Sequence, residues 1–363
     1  MKKKVISMLL ASAMVIATLA GCSTTAPGAP AADAGSAAPA ADAGTDAAPA
    51  ANAELTLIVA SNATDATNPY NYGLDKLKEV LEEKSGGKIA VTVHKGTLGE
   101  NESELVEKLQ MGAADLVVSS PGFMTAIGVP EIDIFSLEYL FDSFDHWEKC
   151  LDGDFGAAMR DIVKEKTNNQ FRIMSYWSSS VRDVYAKQAV TKPEDLKGLS
   201  IRTQSASVQQ DFFKACGAIP TTVAWGELYQ ALQQGVVDGA ENDYTNLTLK
   251  EHHKTPNGKY ISETHHDFTT RLFLMDGNKY DALTDEQKQW LNEAVEACTA
   301  EERAITYRMF DESKQKAIDE GAIITEFKDI DIDAFKALAI PIQDKFAADN
   351  NMQEQLDMIR NAK

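Results

Sequence analysis

Residues able to hold a small anion lie at the ends of short apolar runs in this chain. In "LSIRT", Leu199 and Ile201 fall on one face of a strand, which leaves Arg202 on the other face at the strand's exit. A guanidinium is a planar fork whose parallel N–H groups match the two oxygens of a carboxylate; its other common use at such a place is a surface salt bridge. Asn62, Ser119, Ser120, Glu241 and Asn242 also fall at strand ends, the places where open α/β sheets take up ligands. Trp225, in "AWGEL", reads either as a flat wall against a ligand or as core packing. Glu227 beside it suits a helix N-terminus.

Templates for covalent or metal chemistry are missing. The chain has no G-x-S-x-G, H-E-x-x-H, phosphate loop, G-x-G-x-x-G or C-x-x-C. The histidine pairs at 252/253 and 265/266 offer imidazoles, but neighbours along a chain point apart on a helix or a strand. With no cysteine near, they read as solvated loop histidines rather than zinc ligands. No cofactor and no metal are implied.

The elements that must carry these groups follow a βα alternation. "LTLIVA" (55–60) is a strand, 70–84 a helix with Leu74, Leu77, Val80 and Leu81 on one face, 88–94 a strand, 100–111 a helix and 115–120 a strand. That order predicts an α/β domain with a largely parallel sheet. A second series starts at "FRIMSYW" (171–177), runs through 195–203 and a helix over 206–215, and reaches a helix in which Trp225, Leu228, Tyr229 and Leu232 share a face. The two series share a phrase. The frame E-L-x-x-x-L-Q-x-G-x-x-D occurs from Glu104 and again from Glu227, so one unit, a helix stopped by glycine that turns into a buried strand, is used twice. From Thr284, which forms a capping-box pattern with Gln287, a helical spacing continues without Pro or Gly to Gly321. It is long enough to brace both jaws.

Bulk properties agree with two jaws and exclude some partners. A chain of 363 residues exceeds what one core usually fills. With 35 basic against 55 acidic side chains, the net charge of -20 repels nucleic acid and anionic membrane surfaces. An anion site must then come from a few locally placed arginines. At the N-terminus, Lys2 to Lys4 precede an apolar run that ends in Leu19-Ala20-Gly21-Cys22, which resembles a lipobox. Residues 1–21 read as a lipoprotein signal peptide, Cys22 as the lipid acceptor, and the Ala/Pro-rich stretch 22–53 as a disordered tether. The remaining Cys150, Cys216 and Cys298 are expected to be unpaired, Cys150 and Cys298 within helical patterns.

"KPEDLKGLSIRTQSA" followed by "GAIPTTVAWGELYQALQQGVVDGAEN" resembles the signature region of solute-binding proteins of the tripartite ATP-independent periplasmic (TRAP) transporters, the DctP-type family. The resemblance extends over about 55–350 and includes "GGKIAVTVHKGTLGE" and "EYLFDSFDHW". It implies a two-lobed α/β periplasmic-binding fold with crossing hinge strands and a long helix spanning both lobes, lobe I being 54–179 plus 268–307 and lobe II 180–267 plus 308–363. It implies that Arg202 pairs with a ligand carboxylate, with Arg182, Asn242 and Trp225 beside it. Asn62, Glu100 and Ser120 match polar positions of the first lobe. The implied function is an extracytoplasmic, lipid-anchored monomer, not an enzyme, that delivers a small organic acid to TRAP membrane subunits. "IRTQSA" and "GAENDYTNL" look more like members that take sugar acids such as hexuronates than those that take C4-dicarboxylates. A ligand-presenting sensor and a secreted glycan hydrolase are the competing expectations.

Overall fold

The computed structural model describes residues 53–99, 101–204 and 206–362. The expected signal peptide, Cys22, all but the last residue of the tether, and Glu100 lie outside them. Three strands open the fold: β1 (Leu55–Ser61), α1 (Pro69–Lys84), β2 (Ile89–Lys95), α2 (Glu102–Gln110) and β3 (Leu116–Ser119) follow in order. The helices α3 (Gly122–Ala126), α4 (Phe144–Asp152) and α5 (Asp154–Lys166) lead to the long strand β4 (Phe171–Ala186). The second series is β5 (Ser200–Thr203), α6 (Ser207–Ala215), β6 (Ile219–Thr222), α7 (Leu228–Gln234), β7 (Gly239–Asn242) and α8 (Tyr244–Leu249). A second long strand, β8 (Tyr260–Asp276), precedes α9 (Gly277–Ala282), α10 (Asp285–Asp319), β9 (Ile323–Thr325), α11 (Ile332–Asn350) and α12 (Gln353–Asn361).

The strands form one sheet in the order β2-β1-β3-β8-β4-β7-β5-β6, with β9 on β8. Its outer thirds are parallel, as the βα alternation predicts: β1 pairs with β2 and β3, and β5 with β6 and β7. Between them β4 and β8 run antiparallel to each other and to β3 and β7. Each half is therefore a copy of the other, with β8 beside β3 in one and β4 beside β7 in the second.

The repeated phrase builds that copy. Gly112 and Gly235 adopt φ of 71° and 73°, a left-handed stop that side chains with a Cβ resist. Three residues on, Asp115 donates its N–H to the Ile58 carbonyl (2.7 Å) and accepts from the Ile58 N–H (2.7 Å). Asp238 does the same to Ser200, at 2.7 and 3.0 Å. Each carboxylate also pairs with a lysine, Lys279 and Lys187 respectively. The frame thus encodes a turn and an aspartate that pins the entering strand to its parallel neighbour. In the second copy the α-helix starts at Leu228, with Trp225–Glu227 forming a separate 3-10 turn. The expected face of Trp225, Leu228, Tyr229 and Leu232 is corrected accordingly: Leu228, Ala231 and Leu232 are buried, while Trp225 and Tyr229 are half-exposed. Gly226, a poor helix former, sits where the longer helix would have begun.

Apolar clusters cover both faces of each half. In the first, Leu57, Leu74, Leu77, Phe273, Leu291 and Cys298 pack beneath α1 and α10, and Ala60, Leu105, Trp147, Phe171 and Leu272 form the opposite face. Gly73 of α1 meets Trp177 so closely that a Cβ there would lie 2.7 Å from the ring. In the second half Ile201, Phe212 and Phe213 cover one face, and Tyr185, Leu228 and Leu232 the other. Cys150, Cys216 and Cys298 are free and buried, each in a different cluster. The stretch 308–363, expected to stay with the second lobe, divides: Phe335 and Ala339 of α11 pack on the second half, whereas Phe346, Leu356 and Ile359 pack on the first. A helix of 19 residues is long enough to cross from one to the other.

The expected long helix is present as the single α10, of 35 residues, begun by the Thr284/Gln287 capping box. It buries Leu291 and Val295 on the first half and Ala317 on the second, so it ties the two across about 50 Å. Midway it touches the crossing strands where their register slips, between Ser178 and Val181, with Ser180 at φ 66°. There Glu302, fully buried, accepts from the Ser178 N–H (3.0 Å) and the Thr306 hydroxyl (3.0 Å). Burial pushes its carboxyl up to about 8, against the pull of those two bonds. An acid whose folded pKa is raised gives stability that is full below its unfolded value and is lost as pH rises through the folded one. Unfolding free energy should therefore decline between pH ~4.5 and ~8, and Glu302→Gln should flatten that slope. Urea titrations of both proteins across this range, with parallel slopes, would refute the assignment.

Candidate ligand-binding cleft

Arg202 leaves β5 at the C-terminal ends of the second half's parallel strands, where its backbone pairs with Thr221 and Ala240. The residue is 8% exposed. Its Nε donates to the Val223 carbonyl at 3.1 Å, and no other hydrogen bond or ion pair ties it to a described residue. The guanidinium stands 5.8 Å from the centre of the Trp225 ring, near enough for cation–π attraction. Burial pulls its pKa below the ordinary arginine value, although the nearby Glu241 charge opposes this. It stays a cation, since a guanidinium ordinarily titrates far above neutrality. Its free Nη donors are those that would meet a carboxylate.

Arg182 is placed differently. It is 1% exposed, and Glu241, fully buried, meets it with both carboxylate oxygens: Nε donates to Oε2 and Nη2 to Oε1. Nη2 also donates to the Glu241 carbonyl, and Nη1 to Asn242 Oδ1, both at 2.8 Å. Four of the five N–H groups are committed, leaving one on Nη1. Because its oxygen is held by Arg182 and by the Asp243 N–H, Asn242 turns its amide nitrogen away from the pair. Burial alone would push the Glu241 carboxyl up, but Arg182 and His266 hold it down at about 2.

The histidine pairs correct the sequence expectation. His252, His253 and His266 are 1–2% exposed and are not solvated. His252 Nδ1 lies 2.9 Å from the Tyr185 hydroxyl, and its ring meets Trp225 edge-on at 5.1 Å. It supports the wall beside Arg202. Burial, with the Arg202 charge near, lowers its pKa to about 3, so it is neutral there. His253 Nε2 lies 2.7 Å from Glu320, and His266 Nε2 3.6 Å from Glu241. His265, half-exposed, stacks on Phe327. Polar residues in runs "EHHK" and "THHD" look like loop; in the structure Tyr185 and Trp225 pack on His252, Glu320 meets His253, and His266 lies on β8 facing Glu241. Among the described residues no group of three His, Cys, Asp or Glu side chains is arranged to hold a metal.

On the first half Asn62, half-exposed, follows β1 in a loop fixed by Asn71, which bonds the Ser61 hydroxyl and the Ala63 and Asp65 carbonyls. Ser120 follows β3 and donates its N–H to Glu102 at 2.7 Å. Glu100 lies outside the described residues. Between the halves, Tyr70, Ser178, Ser179, Asp243, Thr245 and Asn246 line a gap of about 10 Å³, room for about one water. A larger recess of about 300 Å³ beside Arg160 and Arg172 opens at the other end of the sheet, since Arg172 pairs with Met275 and Met275 with the first residue of β3. The strand ends carry the candidate ligand groups; that recess does not.

Comparison with known proteins gives the family and supports the fold. The model of bacterial extracellular solute-binding proteins, family 7 (DctP), matches residues 60–350. The chain belongs to that family. A Sulfitobacter solute-binding protein is 30% identical over 309 residues, 84% of this chain and 91% of the relative. The C4-dicarboxylate-binding periplasmic protein of Rhodobacter capsulatus is 26% identical over 81% of this chain and 87% of its own. Among solved structures, a Sulfitobacter TRAP periplasmic solute-binding protein with bound beta-D-galacturonate has a TM-score of 0.76 at 28% identity, covering 84% of this chain and 99% of that one. A Chromohalobacter salexigens counterpart with bound D-glucuronate has a TM-score of 0.77 at 28% identity, covering 85% and 100%.

As a family 7 solute-binding protein the chain is a two-lobed, extracytoplasmic transport component and not an enzyme. Of the residues singled out in its sequence, the fold brings Arg182, Arg202, Trp225, Glu241 and Asn242 together on the second half and sets Asn62 and Ser120 on the first. Missed were His266, which completes the Glu241 environment, and Arg271 of β8, which ends its apolar run in the opposite direction from Arg202. The signal for Arg271 was available: a lone arginine in the strand-type run "FTTRLFLM".

Proposed function

We propose that this family 7 protein captures a sugar acid of the hexuronate class between its halves and delivers it to TRAP membrane subunits. The observation that carries the reading is the buried Arg202 guanidinium, which lies at the strand ends with neither Nη group bonded to a described residue. A carboxylate would receive that fork, Trp225 would cover the carbon face of the ring, and Asn242 and the last Arg182 donor would reach neighbouring oxygens. Asn62, Ser120 and Glu100 would meet the remote hydroxyls. Solved relatives holding galacturonate and glucuronate support this ligand class. The halves would part about the crossing strands to admit the acid, with Ser180 and His265 at the flexing points, and close over it. The lobes divide near 179/180 and 267/268, Cys22 carries the lipid anchor, and the protein works as a monomer.

A thermal-shift screen of hexuronates, aldonates, C4-dicarboxylates and 2-keto acids tests the reading. D-glucuronate or D-galacturonate at ~100 times its Kd should stabilise by about 3 kcal/mol. A shift given by C4-dicarboxylates alone, or by no acid, would overturn it.

A further inference from the structure

Arg271 lies one residue beyond the paired end of β3, since Ser119 stands opposite Leu272. It is 7% exposed, and among the described residues its Nε has no hydrogen-bond partner and its one bond runs from Nη1 to the Thr270 carbonyl at 3.3 Å. No described carboxylate lies within ion-pair distance. Such a guanidinium is costly to bury and needs an explanation.

The internal repeat supplies the contrast. The shared frame equates Leu116 with Gly239 and Ser119 with Asn242. On the long strands alongside, Leu116 faces Met275 where Gly239 faces Ala186, and Ser119 faces Leu272 where Asn242 faces Asp183. One residue further, Arg271 holds in the first half the place that Arg182 holds in the second. Their surroundings differ. Glu241, which pairs with Arg182, is answered in the frame by Val118; Asp267, opposite Arg182, is answered by Trp177, opposite Arg271. The fold has kept the cation and replaced both of its carboxylates with hydrocarbon. Tyr70 and Asp243, which line the gap between the halves, both feel its charge, as does Glu102 beside Ser120.

We propose that Arg271 is the second ligand anchor of the cleft, donating to oxygens at the end of the acid remote from the carboxylate held by Arg202. It thereby selects acids with acceptor oxygens at both ends over acids with an apolar tail. This rests on the cleft being an organic-acid site, as inferred above.

The test is calorimetry with D-glucuronate and D-galacturonate on the wild-type protein and on Arg271→Met, together with thermal unfolding of each without ligand. Methionine keeps the bulk and removes the charge. The Kd of the uronate that the wild type binds should rise about 10- to 100-fold, while the ligand-free midpoint stays or rises because an unpaired buried cation is gone. Arg271→Lys, with the charge but not the fork, should recover part of the affinity. An unchanged Kd with a lowered ligand-free midpoint would make Arg271 structural and overturn the proposal alone. Wild-type protein that binds neither uronate would overturn the cleft reading, and the proposal with it. If Arg271→Met does not fold, Arg271→Gln takes its place, and failure of both to fold also overturns the proposal.

Discussion

Arg202→Ala should bind hexuronate at least 30-fold more weakly than the wild type, a loss of about 2–5 kcal/mol. The size follows from the low-dielectric setting. A carboxylate drawn between the halves gives up its water, and only a fixed cation makes that exchange favourable. Among the described residues Arg202 has one hydrogen bond to lose, from Nε to the Val223 carbonyl. The ligand-free variant should accordingly melt close to the wild type, and the defect should appear only as a missing thermal shift and a weakened calorimetric isotherm. Arg202→Lys should fall between, since an ammonium cannot offer two parallel donors. Affinity unchanged in Arg202→Ala would remove this residue from the site.

Glu241→Ala should act on stability instead, costing about 3–5 kcal/mol, because it strands the Arg182 cation in the interior. Arg182 is 1% exposed and its partner fully buried, so water cannot replace the lost oxygens. Asn242 would also lose its orientation. The acid limb of unfolding carries the same information. Burial would raise the Glu241 carboxyl, but Arg182 and His266 hold it at about 2 against an ordinary value of 4.5. A depressed carboxylate gives stability that is complete above its unfolded value and vanishes as pH falls through the folded one. The wild type should lose stability as pH drops from ~4.5 to ~2, and Glu241→Gln should start lower and lose less over that window. Chemical unfolding in that range, with equal slopes for both proteins, would contradict the pairing.

How much could be read from the residues divides along physical lines. Local order was legible: alternating apolar runs gave the parallel thirds of the sheet, Thr284 and Gln287 gave the start of α10, and the repeated frame gave two turn-and-strand units. The frame's aspartates were not foreseen as pins, because a hydrogen bond to a neighbouring strand leaves no mark on local pattern. Arg202 could be singled out because its flanking Leu199 and Ile201 reveal the opposite face. Long-range pairing hid the rest. Burial of the histidines depends on partners distant in sequence: Tyr185 and Trp225 for His252, Glu320 for His253 and Glu241 for His266. The engagement of Arg182 by Glu241 likewise appears only when β4 and β7 lie side by side. The division of 308–363 between the halves follows from the path of α11, whose apolar residues give no sign of which half they cover.

The most direct measurement is a crystal structure of the protein grown with D-galacturonate or D-glucuronate. The uronate carboxylate should sit between the halves with both oxygens at hydrogen-bond distance from the Arg202 fork and the sugar ring against Trp225. Arg202 turned out to bulk water, or a cleft filled by a neutral or cationic molecule, would contradict the account.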